Sequence, residues 1–208
     1  MTVKTTGAEW TNSLLRRFVE SSRDGAEFMR TPFTRGEWVY ATNGHIAVRV
    51  PRADGIEASE IDLFPRIEAI FKQNKWDTFV SLPSLPPADQ CRTCNGSGIG
   101  YKCTECDGTG QFDHGRHTYD CDECDGTGQT DNGNDEEPCQ VCDGTGELRY
   151  QKIQVGPWHY NRRYLAKIID LPELQFAQRP DGPTINGSDG IANFTFEGGE
   201  GLLMPMRA

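Results

Sequence analysis

All eight cysteines of this chain fall between residues 91 and 146, in four copies of one pattern. The copies read Cys91-Arg-Thr-Cys94-Asn-Gly-Ser-Gly, Cys103-Thr-Glu-Cys106-Asp-Gly-Thr-Gly, Cys121-Asp-Glu-Cys124-Asp-Gly-Thr-Gly and Cys139-Gln-Val-Cys142-Asp-Gly-Thr-Gly. Each Cys-x-x-Cys can turn two thiolates toward one point, which is half of a tetrahedral zinc site. The glycines two and four places after each second cysteine permit the positive-φ turn that wraps backbone around a metal. Four half-sites make two closed four-thiolate sites, so the expected cofactor is two zinc ions with a structural role. A disulfide framework is the competing reading, and the regular motif without a secretion-type start argues against it. His114 and His117 have metal-ligand spacing, but eight cysteines already fill two sites, so both are expected on a surface loop. Asp107, Asp125 and Asp143 each follow a second cysteine and are expected to shape turns. No nucleophile elbow, phosphate-cradling Gly-x-x-x-x-Gly-Lys or open metal site is present, so the chain is not expected to be an enzyme.

The elements flanking these motifs follow from apolar periodicity. Leu14, Leu15, Phe18 and Val19, with Trp10 a turn earlier, predict a helix over 8–23, with Arg16 and Arg23 opposite and Arg17 at the flank. Strands are predicted over 28–33 and 37–51, the second turning at Asn43-Gly44. A helix is predicted over 60–73 through Ile61, Phe64, Ile67 and Phe71, and Leu82-Pro-Ser-Leu-Pro-Pro87 reads as a stiff linker. Beyond the cysteines, 147–157 alternates as a strand and 161–171 as a helix. Short strands then fit 174–178, 184–187, 191–196 and 201–206. Tyr164, Leu165, Ile168 and Ile169 repeat the spacing of Leu14, Leu15, Phe18 and Val19, with Arg162, Arg163 and Lys167 on the polar side. This suggests a duplicated helix-plus-strands unit, interrupted by the cysteine segment.

Charge is unevenly spread. Residues 91–146 hold twelve acidic side chains against Arg92, Lys102 and Arg116, a net of −9, while the whole chain is −10. Such a segment repels phosphates and suits basic or peptide partners. No apolar run approaches the roughly 18 residues of a membrane span. With no basic, apolar leader at the start, the expected location is the cytoplasm.

Two resemblances attach to these residues. The four repeats resemble the zinc-binding central domain of DnaJ-type chaperones. That resemblance implies that the outer repeats, Cys91, Cys94, Cys139 and Cys142, share one ion. The inner repeats, Cys103, Cys106, Cys121 and Cys124, would share the other. The His-Pro-Asp tripeptide of a J-domain and a Gly/Phe-rich segment are both missing. In the flanks, Ala41-Thr-Asn-Gly-His45-Ile-Ala-Val is similar to a segment of bacterial DNA polymerase sliding clamps. Leu202-Leu-Met-Pro-Met-Arg207 is similar to the clamp's terminal stretch. The clamp resemblance implies that the two basic helix faces, Arg16, Arg17, Arg23, Arg162, Arg163 and Lys167, point toward nucleic-acid phosphates. It also implies that Met204, Pro205 and Met206 help form a groove for partner peptides.

The resulting expectation is an α+β protein with a sliding-clamp-like body of helices and antiparallel sheet over 1–87 and 149–208. A β-hairpin zinc insert would occupy 88–148. It would bind a protein or peptide through the acidic module and DNA through the body, would suit a replication accessory of a phage or prophage, and could assemble as a homo-oligomer. The alternative is a chaperone-like holdase that binds unfolded polypeptides through the zinc module. A thiol–disulfide enzyme using one Cys-x-x-Cys is a third reading.

Overall fold

A computed structural model describes residues 7–19, 27–60, 67–181 and 190–206. The chain divides into two compact units, a body of Met1–Leu85 with Lys152–Ala208 and a module of Pro86–Gln151.

The body opens with helix α1 (Ala8–Arg16), which buries Leu14 and Leu15 and continues through a turn to the buried Phe18. A four-residue helix α2 (Glu27–Arg30) stands where the apolar run 28–33 predicts a strand. Glu, Phe, Met and Arg all tolerate helix, and Pro32 forces the preceding residue out of it, so extension begins only at Phe33. Strands β1 (Phe33–Arg35), β2 (Trp38–Thr42) and β3 (Ile46–Pro51) form a meander, with β4 (Ser59–Glu60) parallel to β1. Helix α3 (Ile67–Gln73) keeps Ile67 and Phe71 of the predicted helix, while Ile61 and Phe64 lie outside the described residues. Strand β5 (Phe79–Val80) precedes the proline-rich run, which takes no regular element.

The module contains β6 (Ile99–Lys102), β7 (Gln111–His114), β8 (His117–Asp120), β9 (Gln129–Thr130) and β10 (Glu136–Pro138). They form a three-stranded sheet in the order β10-β6-β9 and a two-stranded ribbon of β7 and β8.

The chain re-enters the body through the pair β11 (Lys152–Val155) and β12 (Trp158–Asn161). Helix α4 (Arg162–Ile168) follows directly, its first turn capped by the Asn161 side chain, which accepts from the Arg163 N–H. Strands β13 (Gln175–Ala177), β14 (Ala192–Phe196) and β15 (Gly199–Leu203) form a second meander. The strand predicted over 184–187 lies outside the described residues.

Eight strands of the body make one sheet in the order β4-β1-β2-β3-β15-β14-β13-β5. The two meanders meet at β3 and β15, which run antiparallel with Val48 opposite Gly201 and Ile46 opposite Leu203. About the β3–β15 seam the central order is palindromic: β1-β2-β3 from the first segment meets β15-β14-β13 from the second, while β4 and β5, both from the first segment, form the two edges. Alternation along the strands puts Val39, Ala41, Ile46, Val48, Val50 and Leu203 on the face that packs with Leu15 of α1 and Leu165 of α4. Tyr40 and Leu202 point the other way, toward Ile67 and Phe71 of α3. Leu15 and Leu165 have no exposed surface, and burial of each such side chain contributes ~1.5–3 kcal/mol.

Candidate functional site

The eight cysteines gather into two buried clusters of four, Cys91, Cys94, Cys139 and Cys142 in one and Cys103, Cys106, Cys121 and Cys124 in the other. First pairs with fourth and second with third, as the chaperone resemblance implies. Within each cluster all four sulfur atoms lie within 4.8 Å of one another. Cys94 Sγ lies 3.7 Å from Cys142 Sγ, and Cys106 Sγ lies 3.8 Å from Cys124 Sγ. A tetrahedron with metal–sulfur bonds of about 2.3 Å has sulfur–sulfur edges of about 3.8 Å. The donor sets therefore fit two metal ions, and four thiolates each are consistent with zinc.

The repeats position these sulfurs through one local design. The residue after each second cysteine is left-handed, with φ of 48° at Asn95, 52° at Asp107, 48° at Asp125 and 55° at Asp143. Asn and Asp enter that region more readily than other side chains, which accounts for the recurring aspartates. The N–H groups of Gly110, Gly128 and Gly146 then donate to Cys106, Cys124 and Cys142 Sγ, each at 3.2 Å. Paired repeats are joined reciprocally: Cys91 N–H donates to Gly146 O and Cys139 N–H to Gly98 O. Likewise Cys103 N–H donates to Gly128 O and Cys121 N–H to Gly110 O.

The last glycine of each repeat is also required by close approach. A Cβ at Gly98 would lie 2.4 Å from Gly144 O, and one at Gly146 would lie 2.3 Å from Gly96 O. The inner pair does the same, Gly110 against Gly126 O and Gly128 against Gly108 O, each at 2.4 Å. The second glycine of one repeat thus packs on the first glycine of the repeat that shares its cluster.

Electrostatics within the clusters is graded. Burial raises the Cys94 thiol, but donation from Gly98 N–H and the Cys142 and Cys91 thiols outweighs it and brings it down to about 7. Cys106 falls to about 7 in the same way, burial being overcome by Gly110 N–H and the neighbouring cysteines. Burial pushes Cys121 and Cys139 up to about 12. Each cluster so combines a readily ionised sulfur with a reluctant one, and a bound dication is what allows all four to ionise together.

The other candidate residues sit apart from the cysteines. His114 and His117 are exposed and face each other across the β7–β8 turn, and neither joins a cysteine cluster. In the body, Arg16 and Arg17 are exposed at the end of α1, and Arg162, Arg163 and Lys167 are half-buried on α4. The helices meet where Arg17 Nη2 donates to Lys167 O at 2.7 Å, while Arg16 pairs with Glu57. Arg23 lies outside the described residues.

Met204 lines an apolar cavity of about 160 Å³ together with Thr42, Gly44, His45, Ile70 and Leu202. Pro205 and Met206 do not line it, and Met206 N–H donates to His159 O instead. Sequence reasoning found one wall of this cavity at Met204 but not its partners, because the β3–β15 seam that joins them is a long-range pairing.

No family model, curated protein or solved structure matches this chain. The two resemblances thus rest on the residues that carry them. Among the described residues no helix is long and apolar enough to cross a membrane. The module holds fourteen acidic side chains against four basic ones, net −10, which equals the net charge of the whole chain and leaves the body balanced.

Proposed function

We propose that this chain is a zinc-stabilised, clamp-like accessory protein that works by binding macromolecular partners and not by catalysis. One observation carries the reading. The two segments similar to sliding clamps lie far apart in sequence, yet Met204 N–H donates to His45 O at 2.8 Å and both residues line the same apolar cavity. The two meanders that meet at the β3–β15 seam, with α1 and α4 sharing one apolar core, support the same reading through a repeated helix-and-meander arrangement. In this view the cavity takes an apolar side chain from a partner peptide. The basic ends of α1 and α4 meet nucleic acid.

The test uses the zinc-loaded chain and two variants. Peptides selected from a displayed random library against the wild-type protein are expected to lose at least about tenfold in affinity on Met204→Glu, which puts a charge at the cavity mouth. Met204 is 45 % exposed, so the change leaves the core intact. Duplex DNA binding, read by fluorescence anisotropy, is expected to weaken and lose salt dependence when Arg16, Arg163 and Lys167 become Ala. Equal peptide binding by the Met204 variant refutes the cavity, and an unchanged salt slope refutes the helix faces.

A further inference from the structure

We infer that the β7–β8 ribbon of the module is a docking finger for a basic, extended protein segment, anchored on Phe112 and Tyr119. All eight residues of the two strands are exposed. Phe112 and Tyr119 are register partners, so their side chains share one face and lie side by side. They are 44 % and 55 % exposed, large values for a phenyl and a phenol ring. The next pair, His114 and His117, extends the same face, and the His117 ring stands 6.4 Å from that of Tyr119.

The opposite face is polar and internally satisfied. Thr118 Oγ1 donates to Asp113 at 2.8 Å and Gln111 Nε2 to Asp120 at 3.1 Å. The ribbon therefore has one aromatic face and one acidic face. Its strands pair only with each other among the described residues, so each keeps an open edge. The base is held beside the inner cysteine cluster by Cys121 N–H donating to Gly110 O at 2.8 Å. A docking element needs such a fixed base, because a finger ordered beforehand loses less entropy on binding.

Charge selects the occupant. Asp113 and Asp120 lie on the ribbon, and Asp122, Glu123 and Asp125 follow immediately in a module of net −10. Nucleic acid is repelled by that field, and a lysine- or arginine-rich segment is drawn to it. An extended segment alternates its side chains, so one added along an open edge sets apolar groups on Phe112 and Tyr119 and cations toward Asp113 and Asp120. The inference is independent of the cavity at His45.

The experiment measures anisotropy of three fluorescein-labelled peptides with the zinc-loaded full chain: alternating lysine and valine, the same with glutamate for lysine, and lysine alone with glycine. The lysine–valine peptide is expected to bind best, with affinity falling as salt rises toward about 0.5 M. Phe112→Ala with Tyr119→Ala is expected to weaken it by at least about tenfold while leaving the lysine–glycine peptide unchanged. Asp113→Asn with Asp120→Asn is expected to flatten the salt dependence. Two zinc ions per chain in each variant verifies the fold. The proposal is overturned if the aromatic double variant binds the lysine–valine peptide like wild type. Equal binding of the glutamate peptide overturns it too. Met204→Glu is expected to leave all three peptides unaffected, which separates this result from that of the cavity.

Discussion

At the scale of single residues, the most consequential side chain outside the cysteines is Arg49, a cation with only 7 % of its surface exposed. Its Nε donates to Glu200 Oε1 at 2.7 Å, its Nη2 reaches the same oxygen, and its Nη1 meets Tyr40 Oη at 3.4 Å. The guanidinium also lies 4.3 Å from the Trp38 ring centre and 4.5 Å from that of Phe71. Tyr40, Arg49 and Glu200 are register partners across β2, β3 and β15, so this row crosses the seam between the two halves of the sheet. Burial raises the Tyr40 hydroxyl, which keeps it a neutral partner for Arg49. The two ends of the pair differ in access to water, since the Glu200 side chain keeps 24 % exposure. Removing the carboxylate leaves a buried, unpaired cation, whereas removing the cation leaves a carboxylate that water can reach. Glu200→Ala is expected to cost about 2–3 kcal/mol and Arg49→Met about 1 kcal/mol, from urea unfolding followed by tryptophan fluorescence. The opposite order would refute this account. None of this was legible in the sequence: in the alternation Ile46-Ala-Val-Arg-Val50, Arg49 falls on the side that period-two reasoning assigns to solvent. Only α3, packed over that face, turns it inward.

At the scale of elements, the sequence pattern was most legible where chemistry and local geometry coincide. The Cys-x-x-Cys spacing and the glycine turns are local properties, and the structure forms both clusters from them. The helices at α1 and α4 and the turn after Asn43 were legible for the same reason, being written in short-range periodicity and turn residues. The strand expected over 28–33 failed because a four-residue helix before a proline has no periodicity to read. What no single repeat could reveal is the reciprocal packing of glycines between repeats, which is a contact between distant segments. Gly128 illustrates it: its φ is +76°, and an added Cβ would sit 2.4 Å from Gly108 O, a backbone atom that cannot swing away. Gly128→Ala therefore both strains its own turn and pushes the two inner repeats apart. Its amide donates to Cys124 Sγ, so the geometry of the inner cysteine cluster is disturbed with it. The expected outcome is a fall from two zinc ions per chain to one, measured by elemental analysis after dialysis, with the outer cluster retained. Retention of both ions at wild-type affinity would show that the repeats tolerate separation. Gly115→Ala, where a Cβ meets nothing within 4 Å despite a positive φ, is the control and is expected to keep both ions.

At the scale of the whole molecule, the two units are stabilised by different physics. The body has an extensive apolar core built from Leu, Ile, Val, Phe and Tyr on both faces of its sheet. In the module, the buried clusters consist of the cysteines themselves, and among the described residues Val141 is the single apolar side chain packed against either. A unit without an apolar core cannot offset the conformational entropy of ordering its chain, so a metal ion at each cysteine cluster would supply the missing folding free energy. Its negative charge works in the same direction, because fourteen carboxylates repel one another when no dication is bound. Chelation at neutral pH is therefore expected to unfold Pro86–Gln151 and leave the body folded, read by hydrogen exchange mass spectrometry. Amides of β6 to β10 should exchange at the rate of an unfolded chain, while those of β2, β3, β14 and β15 keep their protection. The sign of the pH effect follows from the sulfurs. Zinc binds thiolates, and burial holds the Cys121 and Cys139 thiols well above the usual cysteine range, which favours their protonated form. Binding must expel those protons, so zinc affinity rises with pH and is lost as pH falls, and acid acts like a chelator on the module alone. A body that unfolds together with the module on chelation would mean that the two units share their stability. Protection retained throughout the module in the metal-free state would mean that something other than metal holds it.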